Sequence, residues 1–402
     1  MMMMAYPSGY ATYHNSVILH QKKMKEHFTI EQLQELYENK FSNSNSKGID
    51  KISGINFRKN LEQELSLISK RVSMKEYSFS PYLEKLIIKN RFKKPRILSV
   101  PTIRDRITLN QLKEYLHSII PDAVFRTIAQ QCIKEIKEEL TTKKYNYFIR
   151  TDLSNFYDRI DRVRLIKELA KHKIDEYALT ILDQSISNTT VPKNYNKIEQ
   201  KKYFREKGVP QGLSISNFLA QIYLQEFDAL MKKQKCFIIR YVDDILILCN
   251  EENAESLESI AREYLKSIYL ELNEDKTYKG QLNYAFEFLG YRFKSGQISI
   301  AEKNVQKRIN AIAGKFTWFT KGWFDKKQRV PYLINDDEKY KSRFIDQLNN
   351  LIAGVIVENK KRSFGLPRNS GHQDRLEYLI MFKFIICQKL EGSTAKNRSW
   401  KS

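Results

Sequence analysis

The stretch RYVDDILILCN, Arg240 to Asn250, restricts the fold more than any other part of the chain. Apolar residues flank two adjacent acids, Asp243 and Asp244, so the segment reads as two strands, Phe237–Arg240 and Ile245–Cys249, joined by a turn too short to hide the acids. Tight hairpins ordinarily take Asn-Gly or Asp-Gly, because the turn needs positive φ. No glycine is present here, so the acids serve something other than the turn.

Two carboxylates this close repel one another and raise each other's pKa unless a cation neutralises them, and hard oxygen donors suit Mg²⁺. YFIRTDLSNFYD offers a third acid, since a short apolar strand at Tyr147–Arg150 runs out at Asp152. The chain between residues 152 and 243 is long enough for a crossover that brings both strand ends together. Three acids at strand ends are what two-metal phosphoryl transfer requires. Taken singly, each acid has a plainer reading: a solvated turn for the pair, a helix cap for Asp152.

Charge points to the partner. The 402 residues carry 69 Lys and Arg against 47 Asp and Glu, a surplus of +22 suited to a phosphate-rich polyanion. The four cysteines form no CxxC pair and the six histidines show no ligand spacing with them, which argues against a disulfide framework or a zinc site. No charged leader with a long apolar run and no stretch of eighteen apolar residues occurs, so a cytoplasmic protein with no membrane partner is expected.

Along the chain, residues 1–46 read as an amino-terminal extension ending in the polar, Gly-containing linker FSNSNSKGID. β-rich stretches near Leu86–Ile88 and Ile97–Val100 flank a cationic, hairpin-like turn. Asp161 suits a helix N-cap ahead of Val163, Ile166, Leu169 and Ala170, and Ser216 a cap ahead of Leu219, Ile222, Tyr223 and Phe227. Residues 187–207 read as a basic insertion, an exposed loop or loose hairpin. Amphipathic segments after about residue 300 predict a helical carboxy-terminal part.

Taken together these stretches resemble the reverse transcriptases. YVDD resembles the family's catalytic hairpin, RTDLSNFYDRID its first acidic motif and GVPQGLSISNFLAQIYL its nucleotide-pocket loop and following helix. SKGIDKISGINF and KKPRILSVPTIRDRI resemble the fingers of bacterial and group II intron enzymes, and LNEDKT and FEFLGYRF the later palm motifs, all in family order. The resemblance implies an α+β right-hand polymerase. Its fingers would span 47–145, its palm 146–300 as an antiparallel sheet with packed helices, and its helical thumb 301–402.

Carried over residue by residue, the resemblance makes Asp152, Asp243 and Asp244 metal ligands, with the backbone carbonyl of Leu153 as a further oxygen. Two Mg²⁺ ions are implied, with Mn²⁺ as an alternative. Lys89 and Arg96 would bind the triphosphate, with Lys93 or Lys94 as substitutes for Lys89. Tyr157 would exclude a ribose 2′-OH, Gln211 and Gly212 would line the pocket beside Pro210, and Lys276 would protonate the leaving pyrophosphate. Phe288, Leu289 and Gly290 would form the primer grip, and Arg308, Lys315 and Lys321 would face an RNA–DNA hybrid.

The implied partners are an RNA template, nascent DNA and dNTPs, and a homo-oligomer is admitted. Neither the NAxxH nor the VTG element of retron enzymes occurs. LSISN is similar to the defence-associated and abortive-infection enzymes of bacteria, some of which copy a structured non-coding RNA. Two other functions use the same residues: untemplated or protein-primed synthesis, and RNA binding by a maturase-like protein without polymerase activity.

Overall fold

The structure is a computed structural model and describes residues 24–88, 95–121 and 129–353. The chain divides into two compact units, residues 1–126 with 147–279, and residues 127–146 with 280–402. These bounds differ from the expected ones. Residues 127–145, expected in the fingers, group with the carboxy-terminal unit, and the unit that holds the acidic motifs ends at Lys279, so FEFLGYRF, expected in the palm, falls in the second unit.

In the first unit, helices Ile30–Lys40 and Leu61–Ser73 each form on an apolar stripe. Leu33, Leu36 and Tyr37 are buried from the first, and Leu65, Ile68 and Val72 from the second, the spacing that keeps one helical face apolar. Met24, Phe28 and Phe41 join the same core, so the supposed extension supplies core side chains from residue 24 onward. FSNSNSKGID is correspondingly held in place, since Gly54 N–H bonds the Ser44 carbonyl at 2.8 Å and Tyr37 hydroxyl reaches the Gly54 carbonyl at 2.9 Å.

Helix Ile103–Ile119 is buried on nearly every side. Thr102 caps it, its hydroxyl accepting from the Asp105 amide at 3.2 Å and donating to the Asp105 carboxylate at 2.8 Å. Tyr77 hydroxyl gives the same carboxylate a second bond, at 2.8 Å.

Strands β1 (Tyr82–Ile87) and β2 (Arg96–Val100) pair antiparallel, close to the expected hairpin. β3 (Tyr147–Asp152) ends at the expected acid. β4 (Thr190–Val191) lies inside the basic insertion and pairs parallel to β1, and a 3₁₀ helix at Lys197–Tyr203 follows, so that segment is not a hairpin. β5 (Phe237–Tyr241) and β6 (Asp244–Cys249) form the acidic hairpin. β6 runs between β5 and β3, and β7 (Tyr278–Gln281) lies beyond β3. A strand with neighbours on both sides and packing on both faces needs an unbroken apolar run. Ile245, Leu246, Ile247, Leu248 and Cys249 supply it, all buried.

Two helical readings need correction. Asp161 caps helix Arg162–Ala170 as expected, bonding the Arg164 amide at 2.7 Å, but Leu165 and Leu169 are buried while Val163 is 65% exposed. Leu219, Ile222, Tyr223 and Phe227 are buried as expected, yet the run breaks at Leu224 into helices Ser216–Tyr223 and Gln225–Lys232. Ser216 does not cap the first of these. It is already helical, and its hydroxyl donates to the Pro210 carbonyl at 2.7 Å.

In the second unit, β8 (Phe286–Phe288), β9 (Tyr291–Lys294) and β10 (Gln297–Ile300) make a meander in the order β10-β9-β8. Its two-residue turns, Leu289-Gly290 and Ser295-Gly296, hold positive φ at both positions, as tight hairpins require. Helices Glu302–Phe324 and Asp337–Ala353 pack through Phe316, Phe319, Tyr340 and Phe344. Among the described residues no helix is long and apolar enough to cross a membrane.

Candidate active site

The register of β3 on β6 sets Asp152 directly opposite Asp244. Leu153 amide donates to the Asp243 carbonyl at 3.1 Å, which makes the Asp152–Asp244 pair a non-hydrogen-bonded one, with Cα atoms about 4.5 Å apart. Acids far apart in the chain thus meet at the tip of one sheet. Only Val242 and Asp243 reverse the chain between Tyr241 and Asp244, and Val242 takes φ +60°, a region a β-branched residue seldom occupies. Arg240 holds it there, donating from Nη1 to the Val242 carbonyl at 2.8 Å, from Nε to Asp228 at 2.7 Å and from Nη2 to Gln221 at 2.8 Å.

A cleft of about 840 Å³ opens beside the tip, lined by Arg96, Asp152, Leu153, Tyr157, Gln211, Asp243 and Lys276 among others. Gly212, at φ +107°, lies against β2: a Cβ there would come 2.9 Å from the Ser99 carbonyl oxygen. The Gln211 carbonyl accepts from the Ser99 amide at 2.7 Å, so β2 carries the pocket loop as well as Arg96. Asp244 is half-buried and is not part of the cleft lining. Lys89, Lys93 and Lys94 lie outside the described residues. Phe288, Leu289 and Gly290 belong to the second unit, at the turn between β8 and β9, and Lys315 there bonds Gln347 at 2.8 Å.

Burial is the main cause that raises the pKa values of Asp243 and Asp244 above the usual carboxylate range. Repulsion between the acids adds to it, with Asp152 acting on Asp243 and both Asp243 and Asp152 acting on Asp244. The mutual repulsion expected from the sequence is therefore present but secondary. Lys276 ammonium bonds Asp152 Oδ2, while Asp152 Oδ1 is buried without a hydrogen-bond partner. Among the described residues no three His, Cys, Asp or Glu side chains converge into a ready metal cage. The fit to a divalent ion rests instead on two cleft-lining acids, one with an orphaned oxygen, where added positive charge would relieve both desolvation and repulsion.

Residues 87–293 match the family described as Reverse transcriptase (RNA-dependent DNA polymerase). The chain belongs to the reverse transcriptase family. Over 327 residues it is 23% identical to Protein YkfC of Escherichia coli K12, covering 68% of this chain and 84% of that protein. Group II intron-encoded protein LtrA of Lactococcus lactis subsp. cremoris is 29% identical over 212 residues, which span 50% of this chain and 33% of LtrA. The retron Ec83 reverse transcriptase of Escherichia coli is 25% identical over 40% of this chain and 51% of its own length. A solved apo telomerase from Candida tropicalis superposes with a TM-score of 0.46 at 14% identity, over 68% of this chain and 57% of the telomerase.

Within this reverse transcriptase cleft stand residues that the sequence reading left without a role. Asn155, at φ +48°, turns the chain out of β3 into the short helix that carries Tyr157, and its left-handed conformation is one Asn tolerates better than most residues. Arg205 and Lys207 reach the cleft from the end of the basic insertion, and Asn273 from LNEDKT. Buried Arg162 fixes the Arg205–Gly208 backbone by donating to the carbonyls of Gly208 at 2.7 Å, Arg205 at 2.6 Å and Lys207 at 3.1 Å. Proximity of Arg205 and Lys207 to GVPQG was the available signal. For Arg162 there was none.

Proposed function

We propose that the chain is an RNA-directed DNA polymerase working in this cleft. The observation that carries the reading is the convergence of Asp152, at the end of β3, and Asp243, in the turn that leads into β6, in a cavity also lined by Arg96, Tyr157 and Gln211. Nucleotidyl transfer spreads negative charge over phosphate oxygens, and a guanidinium such as Arg96 offsets it by forked hydrogen bonds. Tyr157 walls the sugar side, Gln211 the pocket floor, and Lys276 is a proton source for the leaving pyrophosphate.

Asp152 and Asp243 would hold two Mg²⁺ ions, with Asp244 and the Leu153 carbonyl beside them. Bound there, the metal would supply Lewis-acid charge for the attacking 3′-oxygen and the phosphates. A place among defence-associated enzymes with a partner non-coding RNA extends the reading, and LSISN is what supports it.

The test gives purified protein a primed RNA template of defined sequence and each dNTP in turn. Template-dependent DNA is expected, abolished in Asp243→Ala. RNA binding without incorporation would leave a maturase-like binding protein, and homopolymer made without template would leave an untemplated transferase. Sequencing the RNA that copurifies from cells checks the partner, with one enriched structured RNA expected.

A further inference from the structure

We infer that Asn217 is a positioning residue that sets the sugar preference of the cleft by fastening the Tyr157 ring, an inference that rests on the polymerase reading above. Tyr157 hydroxyl donates to Asn217 Oδ1 at 2.7 Å. At its other end the Tyr157 carbonyl accepts from the Val209 amide at 2.7 Å, and a Cβ on Gly208 would lie 2.9 Å from that same oxygen. The ring is therefore a bar across the pocket, tied at the backbone and at the hydroxyl.

Burial and the Asp243 carboxylate push the Tyr157 phenol up to about 12, so it keeps its proton and remains a donor. Asn217 sits in the first turn of helix Ser216–Tyr223, whose Phe218, Leu219 and Ala220 are buried. The neighbouring Ser216 ties the same turn to the Pro210 carbonyl, one residue before Gln211. Two adjacent side chains of one helix start thus hold two walls of the pocket, the loop and the aromatic ring.

Telling a deoxyribose from a ribose depends on one oxygen atom, and a wall rejects it only if it cannot swing aside. Untying the hydroxyl frees the side-chain torsions that let the ring yield. Asn217 is itself exposed, so its loss leaves the packed core untouched.

The experiment measures kcat/KM for a dNTP and for the matching rNTP on one RNA template, with thermal melts as a check on folding. Asn217→Ala is expected to lower the dNTP-to-rNTP ratio about two- to tenfold, the worth of one hydrogen bond. Tyr157→Phe should lower it by the same factor, and the double variant no further, because both remove one bond. Asn217→Asp, which keeps the acceptor, should keep the ratio. Equal loss toward both nucleotides, an unchanged ratio, or additive losses would overturn the inference while leaving the polymerase reading intact. A wild-type protein that incorporates no dNTP would overturn both.

Discussion

Val242 stays in its left-handed conformation because Arg240 makes leaving it expensive. Such a residue carries about 1–3 kcal/mol of strain. The guanidinium offsets it with bonds to the Val242 carbonyl, Asp228 and Gln221 while its side chain is only 4% exposed. Arg240→Met would strand the Asp228 carboxylate and is expected to cost about 3 kcal/mol in urea unfolding, with polymerase activity lost as the tip relaxes. Away from the cleft, burial lifts Asp105 from the ordinary 3.8 to about 6. Its folded-state pKa lies above its unfolded one, so the native protein holds the proton more tightly, and stability falls as pH rises from about 4 to about 6. Asp105→Asn should flatten that slope in denaturation curves taken across the same range. The acids of the site could be read from the sequence because charge inside an apolar hairpin is an anomaly. Arg240, Asp228 and Asn217 could not, because their meaning lies in hydrogen bonds that close only in three dimensions.

At the scale of elements, the loop at Gln211 depends on one glycine. Gly212→Ala would strain a φ of +107° and press a Cβ to 2.9 Å from the Ser99 carbonyl oxygen. The expected outcome is a raised KM for dNTP with a smaller change in kcat, and about 1–3 kcal/mol lost in a melt. Steady-state kinetics on one template separate the two effects. Strands announced themselves where periodicity and acids coincided, as at β3 and β6. β4 did not, because two residues carry no period and its parallel partner lies far back in the chain. Helix Arg162–Ala170 was found, but its inner face was misread: tertiary packing chose Leu165 and left Val163 in solvent, and apolar character alone does not distinguish them.

Across the whole molecule, the +22 surplus would make phosphate contacts the main source of affinity for the proposed RNA template. Binding is expected to weaken on the order of a hundredfold between about 50 and 200 mM salt, the loss that about four phosphate contacts entail, as a filter-binding titration would show. The segment before residue 47 reads as an amino-terminal extension, yet Tyr37 is fully buried and Leu33 with it. Deleting residues through Lys40 should abolish cooperative unfolding, which calorimetry reads directly. Composition reports solubility and charge, whereas membership of a core depends on what a helix finds to pack against. The backbone bond between Ser99 and Gln211 has a mechanical corollary. Arg96 sits three positions up the same strand, so in the proposed polymerase a nucleotide tugging on that guanidinium would also pull the floor beneath its own base: grip and fit would work as two arms of one lever, with Ser99 as the fulcrum.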